Sequence, residues 1–287
     1  VTGSSGAQRA GAIQISGRSV FVDANGLRHH LLVYDGAGRG NIVIIPGITS
    51  PAATADFLAA PLSELGFTVY VPDLRGRGES DIAPAGFYRL VDYAADLDGM
   101  IDGLALGGAS LIGHSLGARI AAAYAVLYAG AARGRLILVD PPTSGPGRGP
   151  YPTSRAAFAA QLAQAKAGTG IEDVRRFYPK WPDRELQLRA EVLASCDETA
   201  VFETHAGFET EDFFDYWARL TPPAILIRGE DSPVVPAAAA AALAASNPSI
   251  PIIAVPDAGH MIPWDNFSGF MNVLLPALPN ALAEKRS

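Results

Sequence analysis

The chain has 287 residues, of which 49% are hydrophobic and 18% charged, with a formal net charge of −7. That length and apolar content suit one large α/β domain carrying an insertion. The acidic balance and the lack of any basic run exclude a nonspecific nucleic-acid binder and leave a small molecule as the expected partner.

The single cysteine, Cys196, excludes an internal disulfide and has no neighbouring ligand cluster that would hold a metal. No apolar stretch reaches membrane-spanning length, and the start of the chain lacks the charged-then-apolar pattern of a secretory leader. The cytoplasm is therefore the expected location, with no membrane partner. Residues 1–16 are expected to form a flexible segment outside the fold.

In chain order, Val20-Phe21-Val22 and Leu31-Leu32-Val33-Tyr34 flank Asn25-Gly26, a dipeptide suited to a type I′ turn, and predict an opening hairpin. Asn41-Ile42-Val43-Ile44-Ile45 is a continuous apolar run, as expected of a strand buried on both faces. It ends at the turn Pro46-Gly47-Ile48-Thr49-Ser50-Pro51. A helix near 57–65 leads to the strand Phe67-Thr68-Val69-Tyr70-Val71, which makes a parallel crossover. The following Asp73-Leu74-Arg75-Gly76-Arg77-Gly78-Glu79-Ser80 has neither dinucleotide nor P-loop spacing and reads as a structural turn.

Another helix is predicted over 91–106, then the strand Ser110-Leu111-Ile112 and an alanine-rich helix over 116–128. Leu136-Ile137-Leu138-Val139 is the next strand and ends at Asp140. Residues 141–152 are crowded with Pro and Gly, and 153–220 read as helices with no clear strand. Alternation resumes at Ala224-Ile225-Leu226-Ile227 and continues through Gly229-Glu230-Asp231, a helix after Pro236, the strand Pro251-Ile252-Ile253-Ala254-Val255 and a last helix after Asp265. The predicted fold is α/β: a mostly parallel eight-stranded sheet flanked by helices, with a core of 17–140 and 221–287. A helical cap of 141–220 is inserted after the sixth strand.

Between the predicted strand Ser110-Leu111-Ile112 and the alanine-rich helix lies Gly113-His114-Ser115-Leu116-Gly117, a Gly-x-Ser-x-Gly pattern. A serine at a tight strand-to-helix turn is held out from the backbone as a nucleophile. Ser115, an aspartate and His260 then follow in the order Ser, Asp, His, each just after a predicted strand. The carboxyl ends of parallel strands share one sheet edge, so these side chains can converge. His260 is the expected general base. Asp140 and Asp231 both qualify as the acid, and spacing does not choose between them. The oxyanion donors are expected to be the backbone N–H groups of Ile48 and Leu116. For substrate binding the cap offers Arg148, Arg155, Arg175 and Arg176 with Tyr151, Tyr178 and His205, and the selected candidates are Arg155, Arg176, Tyr178 and His205. Trp181 and Phe177 are expected to pack the cap.

The strand order, the elbow, the segment from Asp73 to Ser80 and the late His260 resemble the α/β-hydrolase fold over residues 17–280. Pro46-Gly47-Ile48-Thr49-Ser50-Pro51, the stretch from Asp140 to Arg148, and Tyr178-Pro179-Lys180-Trp181-Pro182 resemble more narrowly the N-formylmaleamate deformylases of bacterial nicotinic acid and nicotine breakdown. Acetamidomethylene-succinate hydrolases are near relatives of that family. The resemblance implies cofactor-free and metal-free amide hydrolysis on a small, unsaturated, anionic dicarboxylate, N-formylmaleamate giving maleamate and formate through a formyl-serine. It also implies that the acid follows the strand before the cap, which is Asp140, with Asp231 as the alternative. Competing readings are an acetamidomethylene-succinate-type hydrolase, a general carboxylesterase or lactonase, and a receptor-like binding protein with slow or no turnover. Dehalogenase and epoxide hydrolase chemistry would need an aspartate at position 115. The sequence carries no signal for oligomeric state.

Overall fold

The computed structural model describes residues 13–131 and 133–279. Its sheet has the strand order β1-β2-β4-β3-β5-β6-β7-β8, made of β1 (Arg18–Ala24), β2 (Leu27–Tyr34), β3 (Asn41–Ile45), β4 (Thr68–Pro72), β5 (Ser110–His114), β6 (Leu136–Val139), β7 (Ala224–Gly229) and β8 (Ile252–Val255). The β1–β2 and β2–β4 pairs are antiparallel and every other pair is parallel. At the first hairpin Asn25 and Gly26 both take positive φ, 50° and 77°, as a type I′ turn requires.

The helices are α1 (Asp56–Glu64), α2 (Leu90–Gly103), α3 (Leu116–Leu127), α4 (Arg155–Ala167), α5 (Ile171–Arg175), α6 (Asp183–Val192), α7 (Glu198–Thr210), α8 (Phe213–Trp217), α9 (Ala237–Ser246), α10 (Ile262–Asp265) and α11 (Phe267–Ala277). Successive strand residues point to opposite faces, so the apolar runs feed two cores. Val43, Ile45, Leu111, Leu136 and Leu138 join residues of α2 and α3 on one face, while Ile42, Ile44, Ile112, Ile137 and Val139 join those of α1 and α11 on the other. Full burial of each such side chain contributes about 2 kcal/mol, which explains the continuous apolar runs at the centre of these strands.

Helices α4 to α8 lie between β6 and β7, and two sets of contacts fasten them to the sheet. Along α7, the Gly86 N–H donates to the Glu203 carboxylate (2.8 Å) and the Leu90 N–H to Glu211 Oε1 at the helix end (3.0 Å). On α6, Arg184 pairs with buried Asp56, and Arg189 donates to the Thr49 carbonyl and to Thr49 Oγ1 (2.8 Å). Asp56 also accepts from the Tyr34 hydroxyl and the Ser16 N–H, both at 2.9 Å.

Of the segment 1–16 expected to be flexible, residues 1–12 lie outside the described residues. The remainder is docked, because Ile15 packs on the α1 side of the sheet and Ser16 is held by Asp56.

Candidate active site

The carboxyl ends of β5, β6 and β8 bring Ser115, Asp140 and His260 together. Ser115 follows β5 with φ 54° and ψ −117°, a conformation that non-glycine residues avoid and that costs about 1–3 kcal/mol. It persists because both sides of the elbow are fixed. The Ser115 N–H donates to the Val139 carbonyl (2.8 Å), and the Ala118 N–H donates back to the Ser115 carbonyl at the start of α3 (3.0 Å). The flanking glycines are demanded by sterics. A Cβ at Gly117 would overlap the Ile45 carbonyl oxygen, and one at Gly113 the Gly117 carbonyl oxygen.

Asp140 also takes positive φ, 49°, and is fully buried. Its Oδ1 accepts from the Gly229 N–H (3.2 Å), and its Oδ2 accepts from the Ser232 hydroxyl and from His260 Nδ1 (2.7 Å). His260 Nε2 faces Ser115 Oγ at 3.0 Å. An Nδ1–H donated to the carboxylate leaves the Nε2 lone pair to accept the serine proton, which is the arrangement of a nucleophile, a base and an orienting acid. Asp231 is exposed at the end of β7, where its N–H donates to the Ala258 carbonyl (3.0 Å). The structure thus brings Asp140, and not Asp231, onto His260.

Two further groups hold the histidine loop. The Gly259 N–H donates to Asp265 Oδ2 (2.9 Å). His114, inside the elbow, donates its Nε2–H to the His260 carbonyl (2.9 Å), and the two rings lie 5.0 Å apart. Burial, together with the charge that His260 can carry, pushes the His114 pKa from 6.5 down to about 3, so it stays neutral beside the base. The unfolded chain therefore binds a proton that the folded chain refuses between those two values. Stability is unaffected by this group above about pH 6.5 and falls by about 1.4 kcal/mol per pH unit as the pH drops below it. His114→Gln, whose amide can still donate to the His260 carbonyl, is expected to remove that slope. Urea unfolding at pH 7 and pH 5 measures it, and an unaltered slope would contradict the assignment.

Ser115 and His260 open into a cavity of about 180 Å³. Gly47, Ile48, Thr49 and Ser50 form one wall, and Tyr151, Phe158, Gln161, Tyr178 and Arg189 from the β6–β7 segment form the opposite one. Ile48 and Leu116, the expected oxyanion donors, are both buried; Ile48 lines the cavity and Leu116 is the first residue of α3. Gly47 brings the turn beside the serine: a Cβ built there would lie 3.5 Å from Ser115 Cβ. The N-terminus of α3 adds its positive dipole end next to Ser115.

Of the selected substrate-binding candidates, Tyr178 lines this cavity and the other three do not. Arg155 is exposed at the first turn of α4, with its guanidinium 4.7 Å over the Phe202 ring. Arg176 points outward and pairs with Asp173 (3.6 Å). The expectation fails for both because the first turn of α4 and the end of α5 turn these positions to solvent, where a charged head is better hydrated. His205 is buried with Nε2 on the Thr153 carbonyl (2.9 Å) and meets the Tyr151 ring edge-on, so it supports the cavity wall from behind. Arg148 and Arg175 are also engaged elsewhere, with Asp212, and with Glu172 and Asp183. Trp181 packs as expected, stacked between Tyr178 and Trp264, whereas Phe177 is 58% exposed and packs nothing of the kind.

The cation that does reach the cavity is Arg189, which sequence reasoning missed. It is buried, and no carboxylate pairs with it among the described residues. A signal for it exists: Arg189 stands three residues after buried Leu186 and four before buried Leu193, a cation on an apolar helical stripe.

Residues 40–267 match the family model of the alpha/beta hydrolase fold. The chain belongs to the α/β-hydrolase family. This hydrolase is 40% identical over 249 residues to the N-formylmaleamate deformylase of Pseudomonas putida, covering 87% of this chain and 92% of that protein. It is 33% identical over 243 residues to the 2-(acetamidomethylene)succinate hydrolase of Mesorhizobium japonicum, covering 78% and 83% of the two chains. Among solved structures, an N-formylmaleamic acid deformylase from Pseudomonas putida superposes with a TM-score of 0.82 at 39% identity, covering 89% of this chain and 99% of the other. Among the described residues no helix is long and apolar enough to cross a membrane, and no cluster of metal-ligating side chains occurs.

Proposed function

We propose that this hydrolase cleaves the amide C–N bond of a half-amide of a small unsaturated dicarboxylic acid, N-formylmaleamate, releasing maleamate and formate in the cytoplasm. The observation that carries the reading is Arg189, a buried guanidinium without a carboxylate partner among the described residues, which lines the same cavity as Ser115 and His260. An unpaired buried cation calls for an anionic ligand, and a substrate carboxylate provides one with fork-to-fork geometry. The 40% identity to a deformylase of that substrate supports the same choice. Residues 17–140 and 221–287 act as the catalytic core, and 141–220 as a cap that supplies the anion-binding wall.

Ser115 attacks the formyl carbon while its proton passes to His260 Nε2, and Asp140 holds the imidazole with Nδ1 protonated. The Ile48 and Leu116 N–H groups take the developing oxyanion, each such donor contributing about 10²- to 10³-fold in rate. His260 then protonates the departing nitrogen. That nitrogen is flanked by the second carbonyl of maleamate, so it leaves more readily than a simple amine. A water deprotonated by the same histidine attacks the formyl-serine, and formate departs as Ser115 regains its proton.

Two assays bear on this. Stoichiometric formate and maleamate from N-formylmaleamate, measured beside an acetamidomethylene succinate and a neutral nitrophenyl ester, tests the substrate class; faster turnover of the neutral ester would favour a general esterase. Arg189→Met is expected to raise KM for the anionic amide by about 10- to 100-fold and to leave KM for the neutral ester within about twofold, as loss of one charge-assisted pair implies. Equal losses on both substrates would mean that Arg189 only braces Thr49.

A further inference from the structure

The turn after β4, which the sequence marks as structural, carries a cation that the proposed chemistry does not yet use. Arg77 is fully buried, and all five of its N–H donors are taken. Nε donates to the Ile48 carbonyl (3.0 Å). Nη1 donates to the Arg75 carbonyl (2.7 Å) and the Tyr93 hydroxyl (2.6 Å), and Nη2 to the Ala200 carbonyl (3.2 Å) and Thr204 Oγ1 (3.1 Å). None of these acceptors is a carboxylate, and among the described residues no salt bridge holds the guanidinium behind Ile48. Tyr93 and Thr204 are joined at 2.6 Å, which closes the network between α2 and α7.

The neighbouring glycines let this guanidinium sit where it does. Gly76 has φ 70°, and a Cβ there would lie 2.6 Å from Ala200 Cβ on α7; Gly78 has φ 58°, and a Cβ there would overlap the Asp73 carboxylate. That carboxylate in turn accepts the Ala52 N–H (2.6 Å) just beyond the Gly47–Ile48 turn. With Arg189 on the Thr49 carbonyl from above, two buried guanidinia grip successive carbonyls of one turn.

We propose that Arg77 is a positioning residue for the oxyanion donor Ile48, locking its carbonyl to α2 and α7 and placing a buried positive charge behind the turn that faces the developing oxyanion. The proposal rests on the reading of Ser115 as nucleophile and Ile48 as donor. It makes α7 part of the oxyanion support rather than a loose cover. Thr204, which does not line the cavity, therefore affects catalysis through Arg77.

The test uses an alkyl fluorophosphonate. In labelling, Ser115 Oγ bonds to phosphorus, fluoride leaves, the serine proton passes to His260, and the phosphoryl oxygen occupies the oxyanion position. Arg77→Lys keeps the charge but loses the fork; Thr204→Val keeps Arg77 and loosens one anchor. Arg77→Lys is expected to slow both labelling and kcat by about 10- to 100-fold with KM within about twofold, and Thr204→Val to slow both by about 3- to 10-fold. Folding of each variant is checked by its unfolding midpoint. Should Arg77→Lys fail to fold, Thr204→Val decides alone. Wild-type labelling rates in the folded variants, with any loss confined to the unfolding midpoint, would overturn the proposal. Wild-type protein that takes no phosphonyl group on Ser115 would overturn the nucleophile reading, and this proposal with it.

Discussion

Replacing Ser115 with alanine is expected to lower kcat for N-formylmaleamate by about 10⁵-fold while leaving KM within a few-fold, because the groups that hold the substrate survive while covalent catalysis is lost. The residual rate would come from the Ile48 and Leu116 donors and from anion binding at Arg189. Structure predicts little collateral damage. Ser115 Oγ contacts His260, and the strain in the elbow is carried by the backbone between the Val139 carbonyl and the first turn of α3, which alanine can also adopt. Steady-state formate release from the purified variant gives the number. Loss of less than about 10²-fold would place the nucleophile elsewhere.

The second large effect separates the two aspartates. Asp140→Asn is expected to reduce kcat by about 10⁴-fold, since an amide in that position can donate to Nδ1 and hold the imidazole in the wrong tautomer. Ser232 and the Gly229 N–H point at the same carboxylate, so its acceptor role is fixed by the surroundings. Asp231→Asn is expected to keep kcat within about twofold, as a surface turn residue should. Near-equal losses in both variants, or a larger loss at Asp231, would reverse the assignment.

Part of the fold and of the site is legible in the sequence alone. The buried strands are legible because Ile42–Ile45, Leu111–Ile112 and Leu136–Val139 are continuous apolar runs, as a sheet covered on both faces requires. Asn25-Gly26 and the elbow glycines 113 and 117 are legible because backbone sterics alone demand those residue types. The choice between Asp140 and Asp231 was not, since β6 and β7 are adjacent and parallel and deliver both residues to the same sheet edge. What separates them is the positive φ of Asp140 and its donors from Gly229 and Ser232, which are contacts across strands.

The cavity wall was the least legible part. Arg155 and Arg176 are as suitable as any cation in the insertion by sequence, but the rotation of each helix about its axis decides whether a residue faces a cavity or water. Arg189 on α6 has only one local sign, its place in an apolar stripe between Leu186 and Leu193. Arg77 was hidden for a different reason. Its five acceptors come from the Ile48 turn, its own turn, α2 and α7, and no local pattern encodes such a gathering.

The covalent route itself is tested most directly by acid-quenching the enzyme during turnover of N-formylmaleamate and mapping its peptides by mass. The expected result is one formyl group on the peptide that holds Ser115, decaying as formate appears and absent from Ser115→Ala. Formate released with no formyl group on Ser115, or a formyl group on another residue, would contradict it.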